Sequence, residues 1–188
     1  MPSTKQRTLI KELDTICSRL CLDYWNSNSS PEWKTATQLE LTLRWIVRTA
    51  VIDNYAFVDE ILSCCICRYM FGKRSFPKLW RTEKFRLFNY YVIEPLNLLP
   101  KLAFVNDISR LPKEILADIR KLNDLRNGLA HSFFPENLKG QRAMWDHKDI
   151  FTSDGLAGFL EDMAKISEHF KDVTAHYRWK ADKGSTNV

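Results

Sequence analysis

Between Leu39 and Tyr69 the apolar residues Leu39, Leu43, Ile46, Ala50, Val58, Ile61, Cys65 and Tyr69 recur at helical spacing, and the pattern stops at Gly72. Such a run predicts one long amphipathic helix ending at a glycine. A helix of that length cannot cover its own apolar stripe. It has to be packed by other helices, which points to a helical bundle. Its length can conceal a break at Asp53-Asn54, where two helix-weak polar residues meet. Upstream, Pro31 follows Ser30, and Glu32 stands three places after Ser29, the pattern of a capped helix start.

The remaining segments agree with a bundle. From Lys5 to about Tyr24 the stripe is Leu9, Leu13, Ile16 and Leu20, broken by Asn26-Ser27-Asn28-Ser29-Ser30. Phe76-Pro77 opens a third segment that runs on through Phe88, Tyr91, Val92 and Leu96, and Pro95 and Pro100 are expected to kink or divide it. A fourth helix is expected from Leu111-Pro112 through Ile115, Ile119, Leu122 and Leu129, ending near His131 before Phe133-Phe134-Pro135. Glu136 to Thr152 reads as a loop. A last helix is capped by Ser153 or Asp154 and carries Leu156, Phe159, Leu160, Met163, Ile166, Phe170, Val173 and Tyr177. No long two-residue alternation and no internal repeat occurs. The expected fold is all-α: an up-and-down helical bundle of four to five helices, one of them long. An N-terminal helix and linker, residues 1–30, packs on a helical domain, residues 31–180, and residues 181–188 form a disordered tail.

Cys17, Cys21, Cys64, Cys65 and Cys67 are odd in number and lie in helical segments. They read as reduced, buried thiols rather than a disulfide framework or a metal site. His169 and His176, seven residues apart, read as solvent-facing rather than as a metal pair. No metal and no cofactor is expected. The N-terminal residues lack a signal-peptide core and no apolar run reaches bilayer-spanning length, so a cytoplasmic protein with no membrane partner is expected.

The formal net charge of +5 favours anionic partners. Lys73, Arg74, Lys78, Arg81, Lys84 and Arg86 crowd one segment against the single acid Glu83, with Phe76, Trp80 and Phe85 interleaved. Such a segment can hold phosphates by charge and bases by stacking, and is a candidate RNA-binding surface. The plainer reading is a solvated helix face whose aromatics point inward.

Leu122, Arg126 and Leu129 are spaced i, i+4 and i+7, which sets a permanent cation in the apolar stripe of its own helix. An unpartnered buried cation is too costly to be casual, so an anion, a polar cleft or a subunit interface should meet it. The alternatives are a guanidinium that snorkels to water, or one paired with Asp124 or Glu60. On a regular helix Asn127 and His131 lie about 40° apart, whereas Arg126 lies about 140° from His131. One rigid helix does not close Arg126 and His131 on a small anion. Gly128 can loosen the turn, or a two-fold dimer can supply the second half of the site. The same spacing in Arg142–His147 falls in the expected loop, lacks the asparagine, and is taken as coincidence.

The stretch Asp124-Leu125-Arg126-Asn127-Gly128-Leu129-Ala130-His131, after a long helix and a basic segment, resembles the HEPN superfamily, whose mark is an arginine, usually a polar residue, and a histidine four to six residues on. The resemblance covers about Leu39 to Tyr177. It implies a homodimeric, metal-independent endoribonuclease of toxin or defence type, restrained by an antitoxin or sensor protein, with the motif helices of two copies lining one cleft. Arg126, Asn127 and His131 are then the catalytic set. The family's acid on the long helix corresponds to Glu60 or Asp59, orienting Arg126. Many relatives lack a complete motif and bind or scaffold without cutting, which makes a non-catalytic module that binds RNA or nucleotide, or scaffolds a protein partner, the alternative.

Overall fold

The structure is a computed structural model that describes residues 3–20, 35–72, 76–131 and 143–173. It is mostly helical: α1 (Thr4–Arg19), α2 (Ala36–Phe71), α3 (Phe76–Leu79), α4 (Glu83–Phe88), a π-helical turn (Asn89–Ile93), α5 (Leu98–Ser109), α6 (Lys113–His131) and α7 (Ser153–His169). The other regular element is a two-residue antiparallel hairpin of β1 (Met144–Trp145) and β2 (Lys148–Asp149). The chain divides into two units. The first holds residues up to Ala56 with Ala117–Ala164, and the second Phe57–Leu116 with residues from Lys165 on.

The long helix forms as its periodicity requires. Its described start is a reciprocal cap: Thr35 N–H donates to Gln38 Oε1 at 2.9 Å, and Gln38 N–H to Thr35 Oγ1 at 3.3 Å. The capped start expected at Ser29–Glu32 lies outside the described residues. Gly72 takes φ +70°, the left-handed geometry that ends a helix and that glycine adopts without strain. No break occurs at Asp53-Asn54. The Asn54 amide donates back to the Ala50 carbonyl at 2.8 Å, one turn earlier, and the helix runs on past it.

In the first unit, α1 opens on a Ser3–Gln6 capping box and buries Leu13, Ile16 and Cys17. Lys5 meets Glu40 of α2 at 3.3 Å, and Glu12 accepts the Ser153 N–H at 3.0 Å, placing a carboxylate at the positive end of α7. That helix is capped one residue earlier than its sequence implies: Thr152 Oγ1 accepts the Gly155 N–H at 3.2 Å.

The expected loop before α7 contains the hairpin instead. Asp146 and His147 form its turn at φ 44° and 67°, the positive values of a tight hairpin turn, which Asp and His tolerate better than most residues. The hairpin sets Trp145 into the core, edge-on to Phe159 at 5.1 Å, with its indole N–H donating to the buried Asp162 carboxylate at 2.9 Å. Trp45 and Trp80, by contrast, are exposed; Trp25, Trp33 and Trp179 lie outside the described residues.

In the second unit, the apolar run Ile61–Cys67 of α2 turns several faces inward, so Tyr69, expected on a single stripe, is left outside it and is 63% exposed. Phe71 packs edge-on against Phe85 and Phe88 at 5.4 and 5.2 Å. The third segment is divided near Pro95, as expected. Pro100, however, lies in the first turn of α5, where its missing N–H costs nothing, so it helps to begin a helix that the periodicity left unassigned.

Two glycines test this packing in opposite directions. A Cβ at Gly155 would lie 2.0 Å from the Asp149 carbonyl oxygen, whereas one at Gly128 in α6 meets nothing within 4 Å. Gly155→Ala is expected to destabilise by about 2 kcal/mol and lower Tm by roughly 4–8 °C. Gly128→Ala is expected to stabilise by about 0.5–1 kcal/mol. Thermal unfolding followed by circular dichroism reads both, and equal shifts would contradict the packing described.

Candidate functional site

The last turns of α6 bury Leu122, Leu125 and Leu129 and hold Arg126 half-buried among them. Its guanidinium carbon lies 5.0 Å from the centre of the Tyr55 ring, and Nη1 donates to Asn127 Oδ1 at 3.2 Å. Both partners are neutral. The ring face stabilises the cation by about 0.5–2 kcal/mol and the amide fixes its plane, yet neither cancels the charge. Among the described residues no carboxylate pairs with Arg126. Asp124, one expected partner, is exposed and accepts from the Asn123 amide at 3.4 Å.

His131 is the last residue of α6, but its side chain lies outside the described residues. Gly128 sits in regular helix rather than in a loosened turn, with open space beside it. His147, of the coincidental second spacing, stands exposed at the hairpin turn, and its Arg142 lies outside the described residues.

Within the basic segment, Lys78, Arg81, Lys84 and Arg86 are exposed, and Lys73, Arg74 and the Phe76 side chain lie outside the described residues. Phe85 is fully buried and Trp80 packs edge-on against it at 5.1 Å, so one interleaved aromatic points inward and the other stays half-exposed. Tyr90 and Tyr91, on the π-helical turn just afterwards, are more open to solvent than either of these.

The two candidate acids belong to the second unit. Asp59 Oδ2 lies 2.6 Å from Nζ of Lys101, which is only 4% exposed. Glu60 is exposed, and its Oε1 accepts the Cys64 thiol at 3.8 Å. Both line a cavity of about 1090 Å³ together with Lys101, Cys64, Cys67 and Trp80. The sequence signal for this site was a lysine set within Leu98-Leu99-Pro100-Lys101-Leu102, an apolar run where a cation demands an acid.

The thiols of α2 are not activated. Burial, the largest cause, pushes Cys65 and Cys67 up to about 11 from the ordinary 9.0; Arg68 opposes the rise at Cys65, while at Cys67 Glu60 adds to it and Lys101 opposes it. Burial followed by Glu60 raises Cys64 further. Cys17 is buried in the first unit, Cys21 lies outside the described residues, and the described cysteines form no disulfide. His169 is exposed, His176 lies outside the described residues, and no cluster of metal-ligating side chains occurs among the described ones. No described helix is long and apolar enough to cross a membrane.

Comparison with family models, with curated proteins and with solved structures gave no match. The site is therefore read from its residues alone.

Removing the Asp59 carboxylate leaves a buried ammonium without its acid. Asp59→Ala is expected to cost about 3 kcal/mol, and the double variant Asp59→Ala/Lys101→Met distinctly less. Urea unfolding of the three proteins measures the coupling, and additive losses would contradict the ion pair. For the thiols, a raised folded pKa contributes stability that is complete below pH 9 and lost as pH climbs through about 11. Iodoacetamide at pH 8 is accordingly expected to leave Cys64 and Cys67 unlabelled in the native chain and to modify both in urea, as read by mass spectrometry.

Proposed function

We propose that the chain is a metal-independent endoribonuclease of the HEPN type, a toxin or defence effector built as an up-and-down helical bundle. The carrying observation is Arg126: a half-buried guanidinium on a rigid helix, oriented by Tyr55 and Asn127, whose charge no described carboxylate neutralises. That is the state in which an arginine grips a phosphate and stabilises charge developing on it. Asn127 acts through the guanidinium, which it positions. RNA carries its own nucleophile, the 2′-hydroxyl, so the reaction requires no metal-activated water. His131 removes the 2′-hydroxyl proton or protonates the departing 5′-oxygen, leaving a 2′,3′-cyclic phosphate and a 5′-hydroxyl.

Helix geometry sets Arg126 about 140° from position 131, so the reading calls for two copies whose motif helices meet. Gly128 supports it. A mid-helix glycine costs about 1 kcal/mol relative to alanine, nothing among the described residues needs its small size, and it lies on the same face as position 131, where a second copy or RNA backbone can approach closely. The exposed Lys78, Arg81, Lys84 and Arg86 supply counter-charge for RNA in the same proposal. An antitoxin or sensor protein would hold such an enzyme in check. Glu60 is exposed on α2 and its Oε1 accepts the Cys64 thiol, and the chemistry above is carried by Arg126, Asn127 and His131.

A non-cutting HEPN module that binds RNA or nucleotide is the second reading, favoured by the fact that Arg126 is already held by an aromatic ring and an amide. The two separate in one assay: purified chain, labelled single-stranded RNA and EDTA. Scission with 2′,3′-cyclic phosphate ends is expected, reduced at least ~100-fold in His131→Ala and in Arg126→Ala, with helical content unchanged. Binding without scission between pH 5 and 9 would establish the second reading. Loss of fold in Arg126→Ala with cleavage intact in His131→Ala would remove both.

A further inference from the structure

The cavity of the second unit takes no part in the nuclease chemistry, and its electrostatics oppose an anionic ligand. At about 1090 Å³ it is as roomy as sites that enclose small organic molecules. Ile61, Cys67 and Ile93 give it a buried apolar floor, and Phe57 and Trp80, 43% and 48% exposed, offer aromatic surface at its edge. Four carboxylates line it (Asp59, Glu60, Glu94 and Glu168) against the two ammonium groups of Lys101 and Lys171. Among the described residues the lining is thus negative by two charges, in a chain whose net charge is +5.

Both ammonium groups are engaged, Lys101 by Asp59 and Lys171 by Glu168. Two acids keep unused capacity. Among the described residues Glu60 accepts a single weak thiol contact, and Glu94 accepts one amide hydrogen, from Asn89 at 2.7 Å. A second, independent observation comes from Lys101. Its ammonium has three N–H donors, it is 4% exposed, and among the described residues it makes one hydrogen bond, to Asp59. Lys101 lines the cavity with N–H donors beyond the one that Asp59 takes, so an oxygen entering the cavity is favoured there. Because Asp59 already neutralises Lys101, that oxygen is best an uncharged one.

We propose that this cavity binds a small organic cation that also carries a neutral oxygen acceptor, an amino alcohol or hydroxylated amine. Glu60 and Glu94 receive the ammonium group, Phe57 and Trp80 cover its apolar body, and Lys101 donates to its hydroxyl. The negative lining rejects nucleotides, which separates this site from one that grips RNA phosphates, and the proposal stands whether or not the chain cuts RNA.

Isothermal titration of the full chain with matched probes tests it: tyramine, phenethylamine (no hydroxyl), 4-ethylphenol (no ammonium), spermidine and AMP. Tyramine is expected to bind, to weaken at least tenfold on loss of the ammonium, and to weaken a few-fold on loss of the hydroxyl. Glu60→Gln/Glu94→Gln is expected to bring tyramine to the level of 4-ethylphenol while leaving 4-ethylphenol unchanged, with folding confirmed by circular dichroism. The proposal is overturned if neither tyramine nor spermidine binds at millimolar concentration. It is equally overturned if AMP binds as tightly as tyramine, or if the double variant retains wild-type tyramine affinity.

Discussion

The structure depends on one unbroken ladder of backbone hydrogen bonds. At 36 residues α2 is roughly 54 Å long. It contributes Leu39, Val47 and Val51 to the core of the first unit and Val58, Leu62 and Ile66 to that of the second. Within a helix every interior N–H and C=O is already paired, so the remaining question is which faces are covered. The first half buries a one-sided stripe and leaves Leu41, Trp45 and Ile52 exposed. The second half is apolar on several faces, and its small thiols fill space between larger side chains. What defines the helix is therefore its ends, Thr35 and Gly72, together with the absence of any residue between them that forces a break.

Elements whose own residues dictate them were legible in the sequence. α2 stops at Gly72, which takes the left-handed geometry of a helix end, and α6, expected from Leu111-Pro112, is a helix over Lys113–His131. Elements decided by neighbours were not legible. The hairpin is turned by Asp146-His147 rather than Asn-Gly, and is fixed by Trp145 reaching Asp162, 17 residues away. The start of α7 depends on Glu12, 141 residues earlier. α5 was hidden by Pro100, which reads as a breaker until its place in the first turn is known. The same division runs through the candidate sites. Arg126 stood out because its own helix marks it as misplaced. Lys101 did not, because its partner lies 42 residues away and its significance comes from a cavity that no local pattern announces.

Three cations with different surroundings show why Arg126 carries the functional reading. Lys121, part-exposed, meets Asp118 at 2.8 Å and Asp146 at 2.7 Å and lies over the Trp145 ring; burial alone would lower its pKa, but the two carboxylates outweigh it and hold it raised. Lys101, nearly buried, is closed by Asp59. Each has the carboxylate that neutralises its charge. Arg126 differs from both: a ring face and an amide satisfy its shape while its charge is left over. A neutral residue in that place would serve α6 at least as well, since Leu122, Leu125 and Leu129 already anchor the helix. Retaining a cation there makes physical sense when an anion arrives from outside the chain, and a planar guanidinium held in advance by Tyr55 and Asn127 gives up little entropy when a phosphate docks.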